Sequence, residues 1–113
     1  MRDALVDLPI KVYAGSESIL DVVAMDCVDM VLAAMVGFAG LLPTIKAIEA
    51  GKVVALANKE TLVVGGKIIC DKLKESATSC ILPVDSEHSA IFQCLRGENI
   101  DDVEKLILTA SGG

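Results

Sequence analysis

Apolar residues fall in short, nearly unbroken runs, each stopped by glycine or polar residues and followed by a stretch with helical periodicity. Residues 10–14 form the first run, a predicted strand. Gly15-Ser16 ends it, and residues 17–24 follow as a helix with a broad stripe of Ile19, Leu20, Val22 and Val23. Ser16 is the expected N-cap. Residues 29–36 are nearly all apolar, as in a central parallel strand, and Gly37-Phe38-Ala39-Gly40 turns the chain into a helix over 41–50. Pro43 is tolerated there only in the first turn, and Gly51 closes the helix as a C-terminal cap.

Residues 52–57 are the next strand, and Asn58-Lys59-Glu60 leads into a helix over 61–76. Gly65-Gly66 is costly inside that helix, about 1 kcal/mol per glycine relative to alanine, unless close packing against a neighbour requires it. Residues 79–84 form a fourth strand, 87–95 a short helix, 96–102 a polar loop and 104–110 a fifth strand running into Ser111-Gly112-Gly113. Strands and helices alternating at this spacing build a parallel sheet through right-handed crossovers, so the pattern predicts an α/β fold. Ligands bind outside the carboxyl ends of strands in such sheets. The segments 37–40, 58–60, 85–88 and 111–113 all fall at such ends and share one rim.

Composition narrows the function. A 113-residue chain with 53% hydrophobic content can bury one core, and with 3% aromatics that core is aliphatic. The net charge of -6 is spread along the chain, with no basic cluster and little aromatic surface, which excludes a nucleic-acid-binding face. A spanning helix needs about 20 apolar residues. The longest uncharged stretch, 30–45, is shorter and is interrupted by Gly37, Gly40 and Pro43, so no membrane association is expected. Cys27, Cys70, Cys80 and Cys94 have no C-x-x-C spacing and no preceding signal peptide, and read as reduced core thiols of a cytoplasm-like compartment.

The densest chemistry lies at Asp85-Ser86-Glu87-His88, where an apolar run meets two carboxylates, a hydroxyl and the single histidine. If the backbone stays extended past Val84, Asp85 and Glu87 project to the same side, as two hard ligands for a divalent cation. A solvated strand-end turn is the plainer reading of the same residues. Asn58 is either a helix cap or a cofactor contact, and Lys59 either a solvated cation or a partner for an anionic or carbonyl oxygen. Glu60 either favours the helix dipole or contacts a cofactor. Residues 37–40 match neither a dinucleotide fingerprint nor a Walker loop. Ser111-Gly112-Gly113 is either a flexible end or a small anion-binding nest.

In combination these segments are more specific. Val36-Gly37-Phe38-Ala39-Gly40-Leu41-Leu42-Pro43-Thr44, Leu56-Ala57-Asn58-Lys59-Glu60-Thr61-Leu62-Val63, Leu82-Pro83-Val84-Asp85-Ser86-Glu87-His88-Ser89-Ala90-Ile91-Phe92-Gln93 and Leu108-Thr109-Ala110-Ser111-Gly112-Gly113 resemble, in order and spacing, successive signatures of the 1-deoxy-D-xylulose 5-phosphate reductoisomerase family. The resemblance covers nearly the whole chain. It implies an NADPH- and Mg²⁺- or Mn²⁺-dependent enzyme of the non-mevalonate isoprenoid pathway. Such an enzyme rearranges and reduces a phosphorylated ketose to 2-C-methyl-D-erythritol 4-phosphate, as a homodimer in the bacterial cytoplasm or plastid stroma. On this resemblance Asp85 and Glu87 are metal ligands, and Lys59, Ser86, Glu87 and Ser111 contact substrate. Asn58 and Glu60 lie at the cofactor, and Lys59, Asp85 and Glu87 carry catalysis. No family role falls on His88, Gly37 or Gly40.

The resemblance also implies an internal fragment. Residues 1–82 correspond to the later part of a Rossmann-like, doubly wound NADPH-binding domain, and 83–113 to the beginning of an α+β catalytic domain. The family's glycine-rich nucleotide loop, flexible lid and third metal carboxylate are not in this sequence, so the fragment alone is expected to be inactive. Two other readings compete: a homoserine dehydrogenase-like NAD(P) oxidoreductase, which shares an Ala-Asn-Lys at a strand end, and a non-catalytic truncated α/β binding module.

Overall fold

The computed structural model describes residues 3–109. Its centre is a three-stranded parallel sheet, β1 (Met30–Ala33), β2 (Val53–Leu56) and β3 (Ile81–Pro83), in the spatial order β1-β2-β3. Leu32 aligns with Ala55 and Ala55 with Leu82, so the three strands leave the sheet at one edge. Among the described residues four α-helices accompany them: α1 (Ser16–Val23), α2 (Leu41–Glu49), α3 (Glu60–Glu75) and α4 (Ser86–Leu95). This is the α/β architecture that the hydrophobic pattern predicts.

Two consecutive crossovers in one direction put α2 and α3 on the same face of the sheet. The core lies between them: Val31, Ala33, Val54, Leu56 and Ile81 from the strands meet Leu41, Ala47 and Ile48 of α2 and Ile69 of α3, with Val23 of α1 closing one end. Fully burying a side chain such as Ile48 or Ile69 contributes about 1.5–3 kcal/mol. Gly51 (φ 73) takes the left-handed conformation that stops α2, its N–H donating to the Ile48 carbonyl.

The awkward glycine pair in α3 divides cleanly. A Cβ built on Gly65 would run into Leu41 of α2, whereas one on Gly66 meets nothing within 4 Å. Gly65 is therefore a close contact between the two helices, and Gly66 has no such requirement.

Several expectations are corrected. Residues 10–14 lie outside the described sheet rather than forming a strand of it, and Ile10 and Tyr13 are exposed. Ser16 is the first helical residue rather than the cap; Gly15 (φ 94) occupies the cap position, and the Ser18 hydroxyl donates back to the Ala14 carbonyl at 2.6 Å. Strand β1 is covered on one face only, leaving Met30 53% and Leu32 64% exposed. Residues 104–109 carry no ladder and Leu106, Ile107 and Leu108 are exposed; residue 110 lies outside the described residues. The four cysteines are exposed rather than in the core, since the core sits on one side of the sheet and they lie off it.

Helix α4 stands apart from that core. It has no buried residue, and its principal packing partner is β3. The Cα radius of gyration, 17.2 Å, exceeds the roughly 13 Å of a compact chain of this length. Residues 16–83 thus form the packed body, and those from Ser86 onward extend from it.

Candidate active site

The three strands deliver their exits to one rim, and hydrogen bonds stitch those exits together. The Ala57 and Asn58 amides both donate to the Ala33 carbonyl, at 3.0 and 3.1 Å, tying the end of β2 to the end of β1. The Val84 amide donates to the Leu56 carbonyl at 2.9 Å, extending the β2–β3 ladder past Pro83, which has no N–H of its own.

Asn58 does not cap α3. Lys59 occupies the cap position, and the Asn58 side chain turns inward, 5% exposed, with its Nδ2 donating to the carbonyls of Met35 and Gly37. Two carbonyl oxygens facing the amide nitrogen fix which way the carboxamide points. Its Oδ1 is buried and has no hydrogen-bond partner among the described residues; the same holds for Oγ1 of Thr61 and Thr44.

Lys59 and Glu87 come from different strand exits and meet, with Nζ 3.5 Å from Oε2. The same Oε2 accepts a hydrogen bond from the Ser86 hydroxyl at 2.8 Å. The Ser86 hydroxyl, the residue's own backbone N–H and the Lys59 charge hold the Glu87 carboxyl below the ordinary glutamate range. Glu60 is exposed in the first turn of α3.

Asp85 has an extended backbone (φ -60, ψ 152) and caps α4, and the chain becomes helical at Ser86. Strand alternation therefore does not bring Asp85 and Glu87 to one side, which corrects the extended-backbone premise: the helix starts between them. Asp85 Oδ1 accepts the His88 amide at 3.1 Å, and Oδ2 lies 2.7 Å from His88 Nδ1. With its side chain only 11% exposed, burial pushes the Asp85 carboxyl up. The His88 amide, the imidazole contact and the Lys59 charge outweigh that and leave it below its ordinary value. His88, to which the sequence gives no role, is thus the orienting partner of Asp85.

The donor set suits a hard divalent cation in kind, because both carboxylates are ionised and each oxygen can accept more than one interaction. It is only part of a shell: no group of three or more His, Cys, Asp or Glu able to hold a metal occurs among the described residues. For a dinucleotide, the position of Asn58, Lys59 and Glu60 at a parallel-sheet rim is the expected one, and Asn58 Oδ1 is an unpaired acceptor there. Ser111 lies outside the described residues.

Comparison with known proteins decides the family. The family model described as 1-deoxy-D-xylulose 5-phosphate reductoisomerase matches residues 1–66, and that of the reductoisomerase C-terminal domain matches residues 81–113. The chain belongs to the 1-deoxy-D-xylulose 5-phosphate reductoisomerase family. It is 61% identical over all 113 residues to the reductoisomerase of Bacteroides thetaiotaomicron and equally to that of Porphyromonas gingivalis, and spans 29% of each. Against the Clostridium kluyveri reductoisomerase it is 56% identical over 107 residues, covering 95% of this chain and 28% of that one.

Solved reductoisomerases share the fold. The enzyme from Zymomonas mobilis in complex with NADPH superposes with a TM-score of 0.76 at 44% identity, over 88% of this chain and 26% of that one. A reductoisomerase in complex with NADPH, fosmidomycin and magnesium gives 0.75 at 41% identity, over 81% and 23%. The Rossmann-like reading of the sheet agrees with these structures, and family membership disfavours the homoserine dehydrogenase-like and non-catalytic alternatives.

Sequence reasoning missed the surroundings of Asn58. A Cβ built on Gly40 would stand 3.0 Å from Asn58 Nδ2 and 3.3 Å from both the Met35 carbonyl oxygen and Thr61 Oγ1. The only signal in the sequence is the glycine of the turn, which reads as backbone freedom although Gly40 has φ -77.

Proposed function

We propose that the intact protein containing this chain converts 1-deoxy-D-xylulose 5-phosphate to 2-C-methyl-D-erythritol 4-phosphate, using NADPH and Mg²⁺ or Mn²⁺. The observation that carries this reading is the convergence of Lys59 and Glu87 at the rim, beside Asp85 and Ser86. Asp85 and Glu87 would hold the cation, which when bound polarises substrate oxygens and offsets developing alkoxide charge.

The chain's own residues supply the rest. The fixed charge of Lys59 attracts a substrate oxygen at the position where it already attracts Glu87. Ser86 orients Glu87 and offers its hydroxyl to substrate, as does Ser111. His88 holds the Asp85 carboxylate in one orientation. Asn58 and Glu60 border the nicotinamide cofactor. The matched family ranges and the separation of α4 from the packed body support a division in which residues 1–82 belong to the cofactor domain and 83–113 begin the catalytic domain. The intact protein works as a homodimer in the bacterial cytoplasm or plastid stroma; no helix of the described residues is long and apolar enough to cross a membrane.

The test is NADPH oxidation by the full-length protein. Oxidation should require both the ketose phosphate and Mg²⁺, stop on chelation and return when Mg²⁺ is restored. Turnover that persists in excess chelator, or none with both ligands present, would overturn the proposal.

A further inference from the structure

Asn58 has the position of a cofactor contact but the hydrogen bonds of a structural fastener. Its two amide protons serve the Met35 and Gly37 carbonyls, on the loop that leaves β1, while its backbone belongs to the loop that leaves β2 and carries Lys59. The side chain is 5% exposed, and Thr61 beside it is 1% exposed. Gly40 makes this possible by being small: any side chain there would begin 3.0 Å from Asn58 Nδ2. With φ -77 and ψ -14 at Gly40, the backbone has no need of glycine, so the space is what the residue provides.

We propose that Asn58, seated against Gly40, is a positioning residue. It latches the β2 exit loop to the β1 exit loop and so fixes Lys59 opposite Glu87. This rests on the reductoisomerase reading and deepens it, because the Asn58 amide group then acts through Lys59, while its unpaired Oδ1 still borders the cofactor.

Gly40→Ala in the full-length protein separates the possibilities, since it alters no functional group at the rim and, at these dihedrals, alanine in open space would stabilise. A displaced Lys59 should lower kcat/KM for the ketose phosphate about tenfold to a hundredfold, with the NADPH dissociation constant changing less than about threefold. Asn58→Ala should lower the same parameter, and the cost of Gly40→Ala should shrink in the Asn58→Ala background, in kcat/KM and in melting temperature alike. Gly40→Ala that leaves both quantities unchanged overturns the latch. So does an Asn58→Ala defect confined to NADPH affinity while Gly40→Ala is silent, which marks a direct cofactor ligand. An inactive unsubstituted protein overturns the functional reading instead, and the latch is then decided by whether the two substitutions couple in melting temperature.

Discussion

Asp85 caps α4, and on the proposed function the same carboxylate would hold a cation, so the two roles can be pulled apart. Asparagine is as good an N-cap as aspartate, so Asp85→Asn keeps the hydrogen bond from the His88 amide while removing the charge that would hold a cation. The full-length variant should melt within about 0.5 kcal/mol of the parent, whereas Asp85→Ala should lose about 1 kcal/mol. Both should lose turnover at limiting Mg²⁺, and full activity of Asp85→Asn there would refute the ligand role. The pH dependence follows from the Asp85 carboxyl being held below its ordinary value in the folded state. A carboxyl depressed in the folded state adds stability that is fully present above its unfolded value, about 3.9, and is lost as pH falls through the lower folded value. The stability advantage of the parent over Asp85→Asn should therefore shrink in melts run below that range and hold steady above it.

At the scale of elements, α3 carries a matched pair of glycines with opposite reasons for being there. Gly66 faces open space, so Gly66→Ala should stabilise by up to about 1 kcal/mol from helix propensity alone. Gly65→Ala gains the same propensity but drives a methyl into Leu41 at the α2–α3 contact, where overpacking costs about 1–3 kcal/mol. Its net effect should be destabilising. Chemical denaturation of the two full-length variants reads the difference, and equal shifts would mean that α2 yields freely. The sequence marks both positions as awkward but cannot distinguish them, since Leu41 lies 24 residues earlier along the chain. The same blindness explains the cap of α1: Ser16 has the right chemistry, yet the backbone starts the helix one residue earlier, leaving the cap position to Gly15.

For the whole molecule, the packed body and the candidate site are unequally complete. Residues 16–83 bury a contiguous core, but no group of three or more His, Cys, Asp or Glu able to hold a metal occurs among the described residues, and the chain spans 29% of the Bacteroides thetaiotaomicron reductoisomerase. The 113-residue chain alone should therefore show no NADPH oxidation dependent on the ketose phosphate, and should bind Mg²⁺ far more weakly than the full-length protein in a calorimetric titration. Turnover by the isolated chain would contradict this division of the site.

Alternating apolar runs and turn residues determined the parallel sheet, the order of its elements and the rim where Asn58, Lys59, Asp85 and Glu87 collect, because strand–helix periodicity and right-handed crossovers are local or nearly local rules. Strands at 10–14 and 104–110 were expected on propensity, yet residues 10–14 and 104–109 lie outside the described sheet; propensity is local and does not report which strands pair. Tertiary structure alone decided that Lys59 faces Glu87, that His88 orients Asp85, that Gly65 receives Leu41, and that Asn58 turns inward onto Met35 and Gly37. Each of those outcomes depends on which groups approach within a few ångströms after the chain has folded. Side-chain chemistry in the sequence names the groups, and packing sets their partners.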